Sequence, residues 1–144
     1  MEQQINEQAL EVDFEKIAGE ELDYLVAIAI GKTPTPLILH KGEPNEMRIW
    51  QVGGESFMPS DDWNVGGPIM ERYNITPWRR KDWSDPKTIC MAMWADYDER
   101  PGDKAGTRPC TSGSTYLEAA MRLLVKIKLT PEQIVAALNT IRGK

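Results

Sequence analysis

From Glu20 to Ile30 the apolar residues Leu22, Leu25, Val26, Ala29 and Ile30 recur at offsets of three and four. That spacing places them on one stripe of a helix. Glu20 and Glu21 fall in its first turn, where negative charge complements the dipole, and Gly31 followed by Pro34 and Pro36 ends it. Before it, Met1 to about Val12 reads as a frayed tail, with Leu10, Val12, Phe14 and Ile17 available as a short docking segment.

Two extended runs, 37–41 and 47–52, are joined by GEPNE, whose glycine, proline and asparagine predict the turn of a hairpin. Ser60 opens a short acidic turn. Gly66, Gly67 and Pro68 argue against an unbroken helix there, because Pro68 lacks an amide donor and crowds the preceding turn. The pattern instead predicts a fresh helix with Pro68 in its first position, running to about Tyr73. A second strand pair is predicted over 75–80 and 88–96, and the latter run, TICMAMWAD, is apolar at both alternations, the mark of a central strand covered on both faces. Tyr97 to Cys110 reads as a loop. Thr115 and Glu118 have capping-box spacing ahead of Leu117, Met121, Leu124 and Ile127, and Thr130, Pro131 and Gln133 repeat the signal ahead of Ile134, Leu138 and Ile141. The fold class expected is α+β: an antiparallel sheet of about four strands with helices packed on it, layered as an α/β/α sandwich. Residues 1–17 form an acidic N-terminal segment, and residues 18–144 a single domain with an extra C-terminal helix over 131–142.

Charge narrows the partners. The chain of 144 residues carries a net charge of −5 with a pI near 5.0, which argues against a protein that lives on the phosphate backbone of duplex DNA. Eight acids, Glu2, Glu7, Glu11, Asp13, Glu15, Glu20, Glu21 and Asp23, face Lys16 alone in the first thirty-one residues, whereas Trp78 to Lys81 reads WRRK. A local basic spot is compatible with this balance and a basic face is not. No apolar run approaches the roughly 20 residues of a membrane span. The polar, acidic start lacks the features of a secretory signal, so an intracellular protein is expected. Cys90 and Cys110 have no CxxC spacing and no histidine cluster, so no zinc site and no cofactor are expected, and both thiols are read as reduced.

Three blocks, LDYLVAIAIG (22–31), PSDDWNVGGPIMERYNI (59–75) and GSTYLEAAMRLLV (113–125), resemble the NinX-like family of small tailed-phage proteins and, more loosely, the wider group of phage α-β-α sandwich domains. The most specific element is Pro59, Ser60, Asp62, Trp63, Gly66, Gly67, Pro68, Ile69 and Glu71. The resemblance implies a phage or prophage origin and work in the host cytoplasm, and it brings no established activity. The long acidic N-terminus, the insertion PGDKAGTRPC and the helix after Thr130 depart from the family pattern.

Candidate chemistry is sparse. AIGKT at 29–33 ends like a phosphate loop, yet Val26 stands where the first glycine belongs, and a helix precedes it where a strand should. His40 is the only histidine and has no neighbouring nucleophile in sequence; Gly113 and Ser114 do not belong to G-x-S-x-G. Asp96, Asp98, Glu99 and Asp103 have the chemistry of a hard-cation site, but spacing alone is weak evidence for one, and a solvated acidic loop is the preferred reading. With no complete catalytic set, a binding protein is expected and an enzyme is not. The expected ligand residues are Trp63, Gly66, Gly67, Trp78, Arg79, Arg80, Ser112, Gly113, Ser114 and Thr115: helix starts offering amides, beside Arg forks and Trp faces, suit a nucleotide-like anion. The competing expectation is a module that inhibits or redirects a host protein through the acidic N-terminal segment. Apolar positions on 88–96 suit either a helix or a second copy of the chain, so a homodimer stays open.

Overall fold

The computed structural model describes residues 12–79, 90–94 and 110–143. Most of the acidic N-terminal segment, Arg80, residues 82–86, and Asp96, Asp98, Glu99 and Asp103 with the loop expected around them lie outside the described residues. A single 3-10 turn, Phe14–Lys16, leads into helix α1, Gly19–Ala29. Ile17 is buried in the core and Phe14 packs against it. Leu22, Leu25 and Val26 are fully buried, as the stripe requires, but so is Asp23 at 4% exposure.

Strands β1, Thr35–Leu39, and β2, Met47–Val52, pair antiparallel with Leu37 opposite Ile49. His40 falls just past β1 with a positive φ of 55°, so it belongs to the turn and not to the strand. An unanticipated strand, β3, Glu55–Ser56, folds back on β2. Its turn is Gly53-Gly54, both at positive φ (63° and 82°), the two-residue hairpin geometry that glycine adopts without strain.

Helix α2, Trp63–Arg72, corrects the expected break at Pro68, which lies inside it. The helix starts a turn early because Asp62 caps it: its carboxylate accepts the Asn64 N–H at 2.9 Å and its carbonyl accepts those of Val65 and Gly66. Pro68 is the sixth residue of the helix, beyond the first four amides that lack intrahelical partners, so it removes one ladder bond, and the two glycines before it present no side chain to crowd its ring.

Strands β4, Ile75–Arg79, β5, Cys90–Trp94, and β6, Cys110–Gly113, form a second antiparallel sheet in the order β4-β5-β6. β6 lies in a stretch expected to be loop and helix start, and Ser112 and Gly113 are therefore strand residues. Helix α3, Tyr116–Lys128, follows with Thr115 as its cap, and α4, Pro131–Ile141, opens on a full capping box between Thr130 and Gln133.

The α+β class is as expected, with its strands divided between two three-stranded sheets. The layer order also differs from a sandwich with one sheet inside: α1 packs on β2 and on α3, and α3 packs on β4, β5 and β6, so the two helices lie between the sheets. The cause is α3. Besides the expected stripe, Ala119, Ala120, Leu123 and Val125 are buried at 0% exposure, so α3 is apolar around most of its circumference, apart from the line of Glu118, Arg122 and Lys126, and needs cover on more than one side. Thr111 Oγ1 donates to the Ala119 carbonyl at 2.6 Å, fixing β6 on α3.

Candidate functional site

A cleft of about 270 Å³ opens where the start of α1, strand β2, the turn before α2 and the start of α3 meet. Each element delivers its part for a local reason. α1 supplies Glu20 from its first turn and Asp23 from its buried side; β2 supplies Met47, Arg48 and Ile49; the turn supplies Met58, Ser60 and Asp61; the β6–α3 junction supplies Ser114, Thr115 and Glu118.

The one arginine is already engaged. Arg48 holds Glu20 with two parallel bonds, Nε to Oε2 and Nη2 to Oε1, both 2.8 Å, and Nη2 also donates to the Ile141 carbonyl at 3.1 Å. Its guanidinium lies 5.0 Å from the Trp50 ring centre, and Trp50 Nε1 donates to the carbonyl of Glu20 at 3.0 Å. The Glu20 carboxylate holds the Arg48 guanidinium in its charged form even more firmly than usual. Asp23 has no such cation. Its Oδ1 accepts the Ser60 N–H at 2.9 Å, which ties the turn to α1.

Burial pushes the Asp23 carboxyl up to about 6 from 3.8; the Ser60 bonds oppose the rise, and the nearby charges of Asp61 and Glu20 add to it. An acid raised in the folded state contributes stability that is full below the unfolded value, about 3.8, and lost as pH rises through about 6. Between pH 4 and pH 7 the protein is therefore expected to lose of order 2–3 kcal/mol relative to Asp23→Asn. Urea titrations of both proteins at the two pH values check this; equal losses contradict it.

At the α3 start, the expected anion position holds a carboxylate of the protein itself. Glu118 Oε1 accepts the Ser114 N–H at 2.9 Å and the Ser114 hydroxyl at 3.2 Å, and stands 3.2 Å from Arg122 Nη1. Thr115 Oγ1 accepts the Glu118 N–H at 3.1 Å. The expected capping box thus closes one residue upstream, on Ser114.

The remaining expected ligand residues are divided. Ser114 and Thr115 line the cleft together with Ser60 and Asp61 of the glycine-tryptophan motif. Gly66 is buried, and a side chain there would meet the Pro59 carbonyl and Leu117; Gly113 is backed by the Ala119 amide and Glu118. These two glycines pack. Gly67 has open space around it apart from Trp63, which is 56% exposed on the outside of α2. Trp78 and Ser112 share a row across the second sheet, both paired through Met91, on the face opposite Thr111 and α3. Trp78 Nε1 is buried without a hydrogen-bond partner among the described residues. The side chains of Arg79 and Arg80 lie outside the described residues.

Sequence reasoning missed Glu20, Asp23, Arg48 and Glu118 as cleft residues. Asp23 carried a legible signal: it precedes Val26, Ala27 and Ile30 at helical offsets, an acid on the apolar stripe. Glu20 and Glu118 are legible only as helix-start acids and Arg48 gives no local signal, because long-range packing brings the three to one cleft. Among the described residues no group of three His, Cys, Asp or Glu stands close enough to hold a metal ion, Cys110 is a free, exposed thiol, and no helix is long and apolar enough to cross a membrane.

Two three-stranded sheets around a pair of buried helices, with an acidic cleft at one junction, define a small α+β domain. The family model described as Bacteriophage P22, NinX matches residues 14–128, so the chain belongs to the NinX family of phage proteins. The match ends before α4, and comparison with curated proteins gives no match.

Proposed function

We propose that this phage accessory protein works in the host cytoplasm by binding without turnover, and that its cleft receives an alkylammonium or alkylguanidinium group. One observation carries the reading: of the four acids that line the cleft, Glu20 is paired with Arg48 and Glu118 with Arg122, which leaves Asp23 and Asp61 there with no arginine or lysine of the cleft lining against them. Such a field attracts a cation and repels a phosphate. The walls of Met47, Ile49 and Met58 suit an aliphatic stem, which a bare metal ion lacks. Glu118 takes the amide and hydroxyl of Ser114 that a nucleotide-like anion would need, so the cleft favours the opposite sign of guest. The acids of α1 are likewise committed within the fold: Glu20 to Arg48, Glu21 to Arg142 at 2.6 and 2.9 Å, and Asp23 to Ser60.

Such a cation comes either from a Lys or Arg side chain of a host protein or from a free polyamine. Calorimetry at low salt with n-butylguanidinium, spermidine, a short Lys/Arg peptide and ATP separates these sources. Binding of butylguanidinium is expected, with ATP silent. Asp61→Asn, at an exposed edge of the cleft, is expected to weaken it by about fivefold, the loss of one partly screened charge. Preference for peptide over spermidine assigns the guest to a protein, and the reverse to a polyamine. ATP binding with the cations silent overturns the reading.

A further inference from the structure

The cleft holds a buried carboxyl whose place is explained neither by apolar packing nor by an ion pair. Asp23 sits on the apolar side of α1 at 4% exposure, lines the cleft, and grips the Pro59–Asp62 turn through the Ser60 N–H. The charged groups that surround the same space are Glu20 from its own helix, Arg48 from β2, Asp61 from the turn and Glu118 from α3. Three are carboxylates, of which Glu118 is paired with Arg122 at 3.2 Å, and the fourth is held by Glu20. Among the described residues that line this cleft, no cation is left to balance Asp23.

Resting on the cation reading, we infer that guest capture is coupled to release of one proton from Asp23, so that the cleft takes its guest only when Asp23 is ionised. The carboxylic acid form is the cheaper one to bury without a counter-charge. A guest ammonium or guanidinium supplies that counter-charge, and the proton leaves to solvent as the cation enters. Ionisation also strengthens the bond from Ser60, because a charged acceptor holds an amide more tightly than a neutral carboxyl does. The turn carrying Ser60 and Asp61 is therefore drawn onto α1 in the state that binds, and loosened in the protonated state.

The test is a pH titration of the full chain followed by the Ser60 amide resonance, combined with n-butylguanidinium affinity at pH 5 and pH 7.5. The Ser60 amide is expected to shift with a midpoint near 6. Affinity is expected to rise about tenfold between the two pH values, following the ionised fraction of such a group. Asp23→Asn is expected to abolish both. Asp61→Asn, which removes a like charge at the exposed edge, is expected to move the midpoint down, and keeps the test open should the Asp23 variant fold poorly. No Ser60 inflection between pH 4.5 and 7.5, or one that survives Asp23→Asn, overturns the inference. Equal affinity at both pH values overturns the coupling and leaves the cation reading standing. Absence of binding at either pH, with Ser60 still titrating, removes the guest and the coupling with it.

Discussion

Replacing Gly66 by alanine is expected to cost about 3 kcal/mol, while the same change at neighbouring Gly67 stabilises the protein by about 0.5 kcal/mol. A methyl on Gly66 would run into the Pro59 carbonyl and lie 2.7 Å from Leu117 Cδ2. Neither can retreat cheaply: Pro59 is fully buried and Leu117 is 3% exposed. The contact is where α2 leans on its own entry turn and on the first turn of α3, so relief would move both and disturb the cleft wall at Ser60. A methyl on Gly67 meets only the Trp63 ring at 3.8 Å, and the helix gains the lower unfolded-state entropy of alanine. Thermal unfolding reads the contrast as a midpoint roughly 10 °C lower for Gly66→Ala and slightly higher for Gly67→Ala. Equal effects at the two positions would contradict the packing described.

Arg122→Met is expected to destabilise by about 3–4 kcal/mol. Arg122 lies in the middle of the buried helix α3 at 6% exposure, and it connects three parts of the chain. Its Nε donates to the Ile17 carbonyl at 2.9 Å, its Nη1 donates to the Ser112 carbonyl at 2.9 Å, and Glu118 stands 3.2 Å from the same nitrogen. Methionine fills much of the volume and leaves two carbonyls and a carboxylate short of a donor. Arg122→Lys is expected to recover less than half of the loss, since one ammonium head lacks the rigid fork that reaches both carbonyls. Urea unfolding measures both variants. A methionine variant within 1 kcal/mol of wild type would contradict the role assigned to this residue.

Local signals in the sequence were sufficient for the elements they govern. Leu22, Leu25 and Val26 identify α1, and Thr130 with Gln133 marks the start of α4 within a residue. Both are rules about neighbours three and four apart. Where the outcome depended on distant chain, local reading fell short. Pro68 carries a breaking signal, yet the Asp62 cap and the contact of Gly66 with Pro59 and Leu117 keep the helix continuous through it. Cys110–Gly113 has no strand periodicity and becomes β6 because it pairs with β5 and bonds to α3 through Thr111.

The same division runs through the candidate site. The two small-residue turns, at Ser60–Asp61 and at Ser114–Thr115, do line one cleft, and both were visible as helix-entry motifs. The sign of its charge is not legible in the sequence, because it depends on which acids stay unpaired: packing gives Glu20 to Arg48 and brings Asp23 and Asp61 to the same cleft. Helix starts attract anions, and here the chain's own carboxylates take those places: Asp62 at α2 and Glu118 at the entry to α3. What remains for a guest is the outer field of those acids.

The sign of the guest is best tested by mapping amide shifts on the full chain with n-butylguanidinium and, separately, with inorganic phosphate. Saturable shifts are expected at Ser60, Asp61, Ser114 and Thr115 with the guanidinium and none there with phosphate. Phosphate moving those four amides while the guanidinium leaves them in place would contradict the cation reading.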